Sequence, residues 1–203
     1  MERVTDGLFC PKRRGRMEQY LLVSAAPVLT GAKPSALMSF QHCCKHIWEE
    51  CGAALCQAAG LYALAFSQGG DSFSVLLYNR NALENHVQTQ GAQALLAKYG
   101  YRRGAGLPEL LARLQARFTT ERFPHEIGVF LGYPPEDVAA FIQSGGRDYL
   151  CCRYWKVYHN EKRAREIFRF IDEARERARL LLSRQMPLSA AVQRLAQSSG
   201  YAE

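Results

Sequence analysis

Residues 61–67 (LYALAFS) and 73–78 (FSVLLY) are two apolar, aromatic-bearing runs parted by Gln68, Gly69, Gly70 and Asp71, and no other feature restricts the fold as tightly. Paired glycines supply the positive φ angles of a tight reversal, so the two runs are predicted to pair as an antiparallel hairpin. A lone hairpin is marginal in water, so the rest of the chain has to widen the sheet and cover it. Residues 149–158, with Tyr, Trp, Val and Cys at most positions, form the most strand-like segment and are predicted to join the hairpin in one sheet. Residues 36–40 supply a further short strand.

Helical periodicity fills most of the remainder. Residues 17–26 read as an amphipathic helix stopped by Pro27. In residues 41–59 a helix is predicted to bury Cys44, Ile47, Cys51, Leu55 and Ala58, in line with Phe40. Candidate helices follow at 82–99, broken near Gly91, and at 108–118, which Pro108 opens. Two short helices meet at a corner. Pro124, His125 and Glu126 open the first and Gly132 ends it, then Pro134, Pro135, Glu136 and Asp137 open the second, which Gly145 and Gly146 end. Asn160 caps a long helix with an apolar stripe of Ala164, Ile167, Phe168, Ile171, Ala174, Ala178 and Leu181. The order predicts an α+β fold, with a small antiparallel sheet of the ferredoxin-like split βαβ kind, a large helical insertion and a long C-terminal helix. Residues 1–16 are expected to be a flexible basic N-terminus, 17–184 a single α+β domain, and 185–203 a short helix and tail.

Composition narrows the setting. With 203 residues and 48% hydrophobic side chains the chain can close a core, yet it has no run of about 18 apolar residues, so no membrane partner is expected and the protein is assigned to the cytoplasm. Seven irregularly spaced cysteines, including the neighbours Cys43 with Cys44 and Cys151 with Cys152, read as reduced thiols. The net charge of +7 is confined to Lys12, Arg13, Arg14 and Arg16 and to the helix after Asn160. There the signs alternate, as in Arg169 with Glu173, so a solvated face is expected and nucleic acid is not a partner.

Three stretches carry a resemblance: PVLTGAKP at 27–34, FPHEIGVFLGYPPEDV at 123–138, and YWKVY at 154–158. Together, over residues 18–182, they resemble a bacterial domain-of-unknown-function family found mostly in anaerobic Gram-positive bacteria. One departure is Arg153, where the family pattern carries Gly. The resemblance implies no reaction and no catalytic residues. It carries a loose association with flavodoxin-like and iron-uptake genes, and hence with a redox partner protein.

The chemistry-bearing candidates lie mostly in those stretches. His125 and Glu126 are an imidazole and a carboxylate at a helix start, either an acid-base pair or a cap with its packing neighbour. Tyr154, Lys156 and Tyr158 share one face if 149–158 is a strand, a face suited to an anionic or aromatic ligand. The alternative puts Trp155 in the core and Lys156 at the surface. Tyr133 at the corner and Lys33 in the first stretch complete the expected ligand set. His42, His46 and Glu50 share a helix side and could hold a transition metal, though a solvated face is the simpler reading and no metal is assigned. The expectation is a binding or accessory protein, with its pocket where the His125 corner meets the Tyr154 strand. Its ligand is an unidentified small molecule, haem, flavin or a phosphate-bearing compound. The alternatives are an enzyme using His125 and Glu126, and a ligand-free adaptor offering the Ile167, Ile171 and Ala174 stripe to a partner protein.

Overall fold

The computed structural model describes residues 14–67, 71–120 and 123–197. Its sheet is antiparallel, with β1 (Ser35–Gln41), β2 (Tyr62–Ser67) and β3 (Ser72–Tyr78) in the order β1-β3-β2. The expected hairpin is β2 with β3, Ala65 standing opposite Val75, while its Gln68-Gly69-Gly70 tip lies outside the described residues. Alternation along β1 and β3 divides the molecule into two cores. Met38, Phe40, Phe73, Val75 and Leu77 belong to one, and Phe66 and Leu76 belong to the other.

The first core is closed by α1 (Arg14–Leu29), by α2 (Lys45–Ala59), by α8 (Glu161–Ser183) and by α9 (Leu188–Gln197). Helix α1 starts inside the expected basic terminus and runs through Pro27 instead of stopping before it. Proline lacks a donor but can occupy a last helical turn, and the exposed carbonyls there are used: Thr30 N donates to Ala26 O at 3.0 Å and Lys33 N to Pro27 O at 2.9 Å. Helix α2 follows a short 3-10 turn at His42–Cys44. It buries Trp48, Cys51, Gly52 and Leu55, whereas Ala58, expected inside, is exposed. Helix α8, capped by Asn160 as expected, lies along α1 and buries Phe168, Ile171 and Ala174. The stripe offered to an adaptor's partner is therefore largely covered. Helix α9 adds Ala191, Val192 and Leu195 to the same core.

The second core is the helical insertion: α3 (Arg80–Val87), α4 (Gln90–Ala97), α5 (Leu107–Thr120), α6 (Ile127–Phe130) and α7 (Pro135–Ser144). The predicted break near Gly91 falls at Gln88 and Thr89, between α3 and α4.

One strand expectation is overturned. Residues 149–158 do not join the main sheet, so the ferredoxin-like order lacks its fourth strand. They fold on themselves as a two-stranded ribbon, β4 (Cys151–Cys152) with β5 (Lys156–Val157), turning at Arg153, Tyr154 and Trp155. Asp137 anchors the end of this ribbon: its carboxylate takes the amides of Tyr158 and of the next residue, His159, each at 2.9 Å. A donor that could extend the ladder is spent on a side chain, and the ribbon ends there.

Candidate functional site

The stretches 27–34, 123–138 and 154–158 meet around Tyr133. Gly132, at φ 78°, ends α6, and a Cβ there would collide with the ring of Pro34 from the first stretch. Ser35 Oγ donates to Phe130 O at 2.6 Å across the same contact. The third stretch stacks Trp155 on Tyr133, with centroids 5.1 Å apart and planes at 27°, and Trp155 Nε1 donates to Asp137 Oδ2 at 2.8 Å. Asp137 is 3% exposed. Its other oxygen holds the Tyr158 and His159 amides and His159 Nδ1, the last at 3.2 Å. A buried carboxylate with four donors is fully compensated, and it fixes the ribbon to the start of α7.

An aromatic cleft opens beside this node, with Phe123, His125, Tyr133, Phe141, Tyr154 and Trp155 in its wall and Lys156 also lining it. His125 is exposed and stands edge-on to Phe141 at 5.3 Å. The enclosed volume is about 50 Å³, well under the several hundred Å³ of a full cofactor pocket and under the roughly 150 Å³ that encloses a benzene ring, so it holds a few waters or the edge of a flat molecule. Four of the expected residues, His125, Tyr133, Tyr154 and Lys156, therefore share one concavity.

The other three do not line it. Glu126, 1% exposed, is committed to Arg117 Nε and to the Tyr101 hydroxyl, which donates at 3.2 Å. Burial, then the neighbouring Glu126 charge, raises the Tyr101 phenol, so it stays protonated as a donor. The adjacent His125 and Glu126 thus face different surroundings, and the structure does not assemble them as an acid-base pair. Tyr158 is hydrogen-bonded to Ser144 at 3.2 Å between their oxygens. Lys33 rests 5.0 Å from the centre of the Tyr133 ring, and burial, with Arg175 nearby, lowers its ammonium to about 7.

Among the lining residues, Lys156 donates to Gly146 O at 2.5 Å and lies 4.6 Å from the centre of the Tyr149 ring. An ammonium carries three donors, so this bond at the end of α7 leaves capacity for an anion. Tyr154 donates to Asp172 at 2.5 Å, and burial followed by that bond raises its phenol. Of the candidate trio His42, His46 and Glu50, Glu50 pairs with Arg14 at 2.5 Å and the His42 ring lies against Phe73. Among the described residues no three His, Cys, Asp or Glu side chains are grouped to hold a metal ion, and no helix is long and apolar enough to cross a membrane.

Sequence reasoning missed the role of Asp137. Asp137 reads as an ordinary acid in a first helical turn, and its partners come some twenty residues later. The signal that points to Asp137 is the joint presence of its stretch with the Trp155 stretch.

A family model described as a protein of unknown function (DUF3793) matches residues 21–192. No curated protein and no solved structure matches the chain.

Proposed function

We propose that this chain, which belongs to the DUF3793 family, is a cytosolic binding protein that seats one edge of a flat, anionic molecule against the aromatic cleft. What supports the reading is the wall of the cleft. Six aromatic or imidazole rings line it, and one ammonium with spare donors adjoins them. Aromatic walls favour a flat ring by stacking, and a lysine adds a contact to a propionate or phosphate. The small enclosed volume leaves the rest of a haem or flavin over the open mouth. Such a ligand would bring a redox protein as the partner class.

The test is absorption and native mass spectrometry of the fresh protein, followed by titration with FMN and with haemin while tryptophan fluorescence is recorded. Saturable quenching is expected with one of the two, weakened at least about tenfold in His125→Ala and in Lys156→Met, both of which keep the wild-type melting profile. A colourless, unliganded protein whose fluorescence neither molecule quenches would sink the reading. Quenching that both variants retain would put binding elsewhere and sink it as well.

A further inference from the structure

Lys33, in the loop between α1 and β1, and Arg175, on α8, are held against two rings of the cleft wall. Lys33 Nζ lies 5.0 Å from the centre of the Tyr133 ring. The Arg175 guanidinium lies 4.9 Å from the centre of the Tyr154 ring, with Nη1 3.5 Å from its hydroxyl. The two cations are near enough for Arg175 to disfavour protonation of Lys33. Among the described residues no acid forms an ion pair with either, and Arg175 Nε is buried without a hydrogen-bond partner. The acids of this part of α8 are engaged elsewhere: Asp172 with Tyr154 and Arg153, Glu173 with Arg169, and Glu176 with Arg179. A partly buried pair of like charges with no anion between them is a local deficit of negative charge.

Chemistry at Lys33 itself can supply the anion. A lysine in water is almost wholly ammonium at neutral pH, and an ammonium has no lone pair to donate. Burial, then Arg175, lowers Lys33 to about 7, so near pH 7 about half of the chains carry the free amine. The side chain keeps partial exposure, which leaves a path for a molecule as small as carbon dioxide. The Nζ lone pair adds to the carbon of carbon dioxide, one C=O π pair moves onto oxygen, and the surplus proton on Nζ leaves to water. Amine and carbon dioxide thus become a carbamate and one proton, with no change of oxidation state. The product places a negative charge at the end of a lysine stem, where the Arg175 guanidinium had only repelled.

We propose that Lys33 is a reversible carbamylation site, at which carbon dioxide adds to the side-chain amine and Arg175 holds the resulting carbamate. Its charge then follows the supply of carbon dioxide, and it changes beside Tyr133, the residue around which the cleft is built. Neither Lys33 nor Arg175 lines the cleft, so the inference does not depend on the function proposed for it.

The experiment equilibrates the full chain at neutral pH with isotopically labelled bicarbonate, traps carbamates as ethyl esters with triethyloxonium, and locates them by peptide mass spectrometry. Trapping should mark Lys33 at least about fivefold above the exposed Lys98 and Lys162. The mark should disappear when the buffer is freed of carbon dioxide before trapping. Arg175→Met should lower the Lys33 signal about fivefold or more, whereas Arg175→Lys, which keeps the charge, should retain most of it. At constant pH, added carbon dioxide should raise the melting temperature of wild type and leave that of Lys33→Met unmoved. No trapped carbamate at Lys33 overturns the proposal, as does one no more abundant than at Lys98 and Lys162. A Lys33 signal that Arg175→Met leaves unchanged removes Arg175 from the site and overturns it too.

Discussion

Asp137 Oδ2 accepts the Trp155 indole N–H at 2.8 Å, and this one bond joins the start of α7 to the ribbon turn 18 residues later. The same carboxylate holds two backbone amides and an imidazole. Replacing it with alanine strands four donors, at least two of them on the backbone. Asp137→Ala should lose at least about 3 kcal/mol in urea unfolding and shift Trp155 emission to the red. Asp137→Asn should fall between the two proteins, since an amide oxygen can keep the backbone donors while its NH₂ opposes the indole N–H. An Asp137→Ala protein as stable as wild type would show that the ribbon is held by stacking alone.

Glu126 and His125 are neighbours in sequence with opposite burial, and that contrast makes a second test. Glu126→Ala leaves Arg117 without its buried carboxylate and Tyr101 without its acceptor, so a loss of about 3–5 kcal/mol is expected. His125→Ala removes an exposed ring and should cost under about 1 kcal/mol. Thermal melts of the pair decide it. Equal losses would mean that His125 is more than a surface group.

Gly132 meets Pro34 where residues 27–34 touch residues 123–138, with φ at 78°. Gly132→Ala therefore adds a left-handed alanine, a cost of about 1 kcal/mol, and drives its Cβ into the proline ring, for roughly 2–4 kcal/mol in all. Pro34→Ala made in the same chain should recover part of that loss in a double-mutant cycle. Simple additivity would place the strain in the backbone alone.

The features legible beforehand are those whose cause is local. The β2–β3 hairpin follows from two apolar runs and the glycines between them, the α6–α7 corner from Gly132 and Pro134, and the start of α8 from Asn160, whose side chain accepts from Arg163 N at 3.1 Å. The convergence of His125, Tyr133, Tyr154 and Lys156 on one cleft was legible because that corner feeds directly into the ribbon. What sequence could not supply is where a buried charge finds its partner. Glu126 turns to Arg117, nine residues back on α5, and not to the cleft beside it. Residues 149–158 have the propensity of a strand, but they pair with each other as a ribbon whose end Asp137 holds. His86 and Glu136 come to line one cavity only through the fold of the helical insertion, which helical periodicity does not encode.

Lys33 gives the clearest dependence on pH. Burial, with Arg175 adding repulsion, lowers its ammonium to about 7 from an ordinary value of 10.5, and attraction to the Tyr133 ring does not offset the lost water. Below pH 7 the amine is protonated in both folded and unfolded chains, so folding bears the whole cost of enclosing the charge. Between 7 and 10.5 the unfolded chain binds the extra proton, and stability from this group rises with pH. Above 10.5 neither state is charged and the cost is gone. Lys33→Met keeps the apolar stem and removes the charge. It should therefore be more stable than wild type at pH 6–7 by on the order of 2 kcal/mol, a figure held below the full shift because the side chain is only half-buried and keeps some water. The advantage should shrink steadily as pH climbs and vanish near 10.5. Urea unfolding of both proteins at a series of pH values measures this difference directly, with all other groups cancelling. A constant difference across the series, or a variant less stable than wild type at pH 6–7, would mean that Lys33 is held in water or beside a counter-charge and titrates normally.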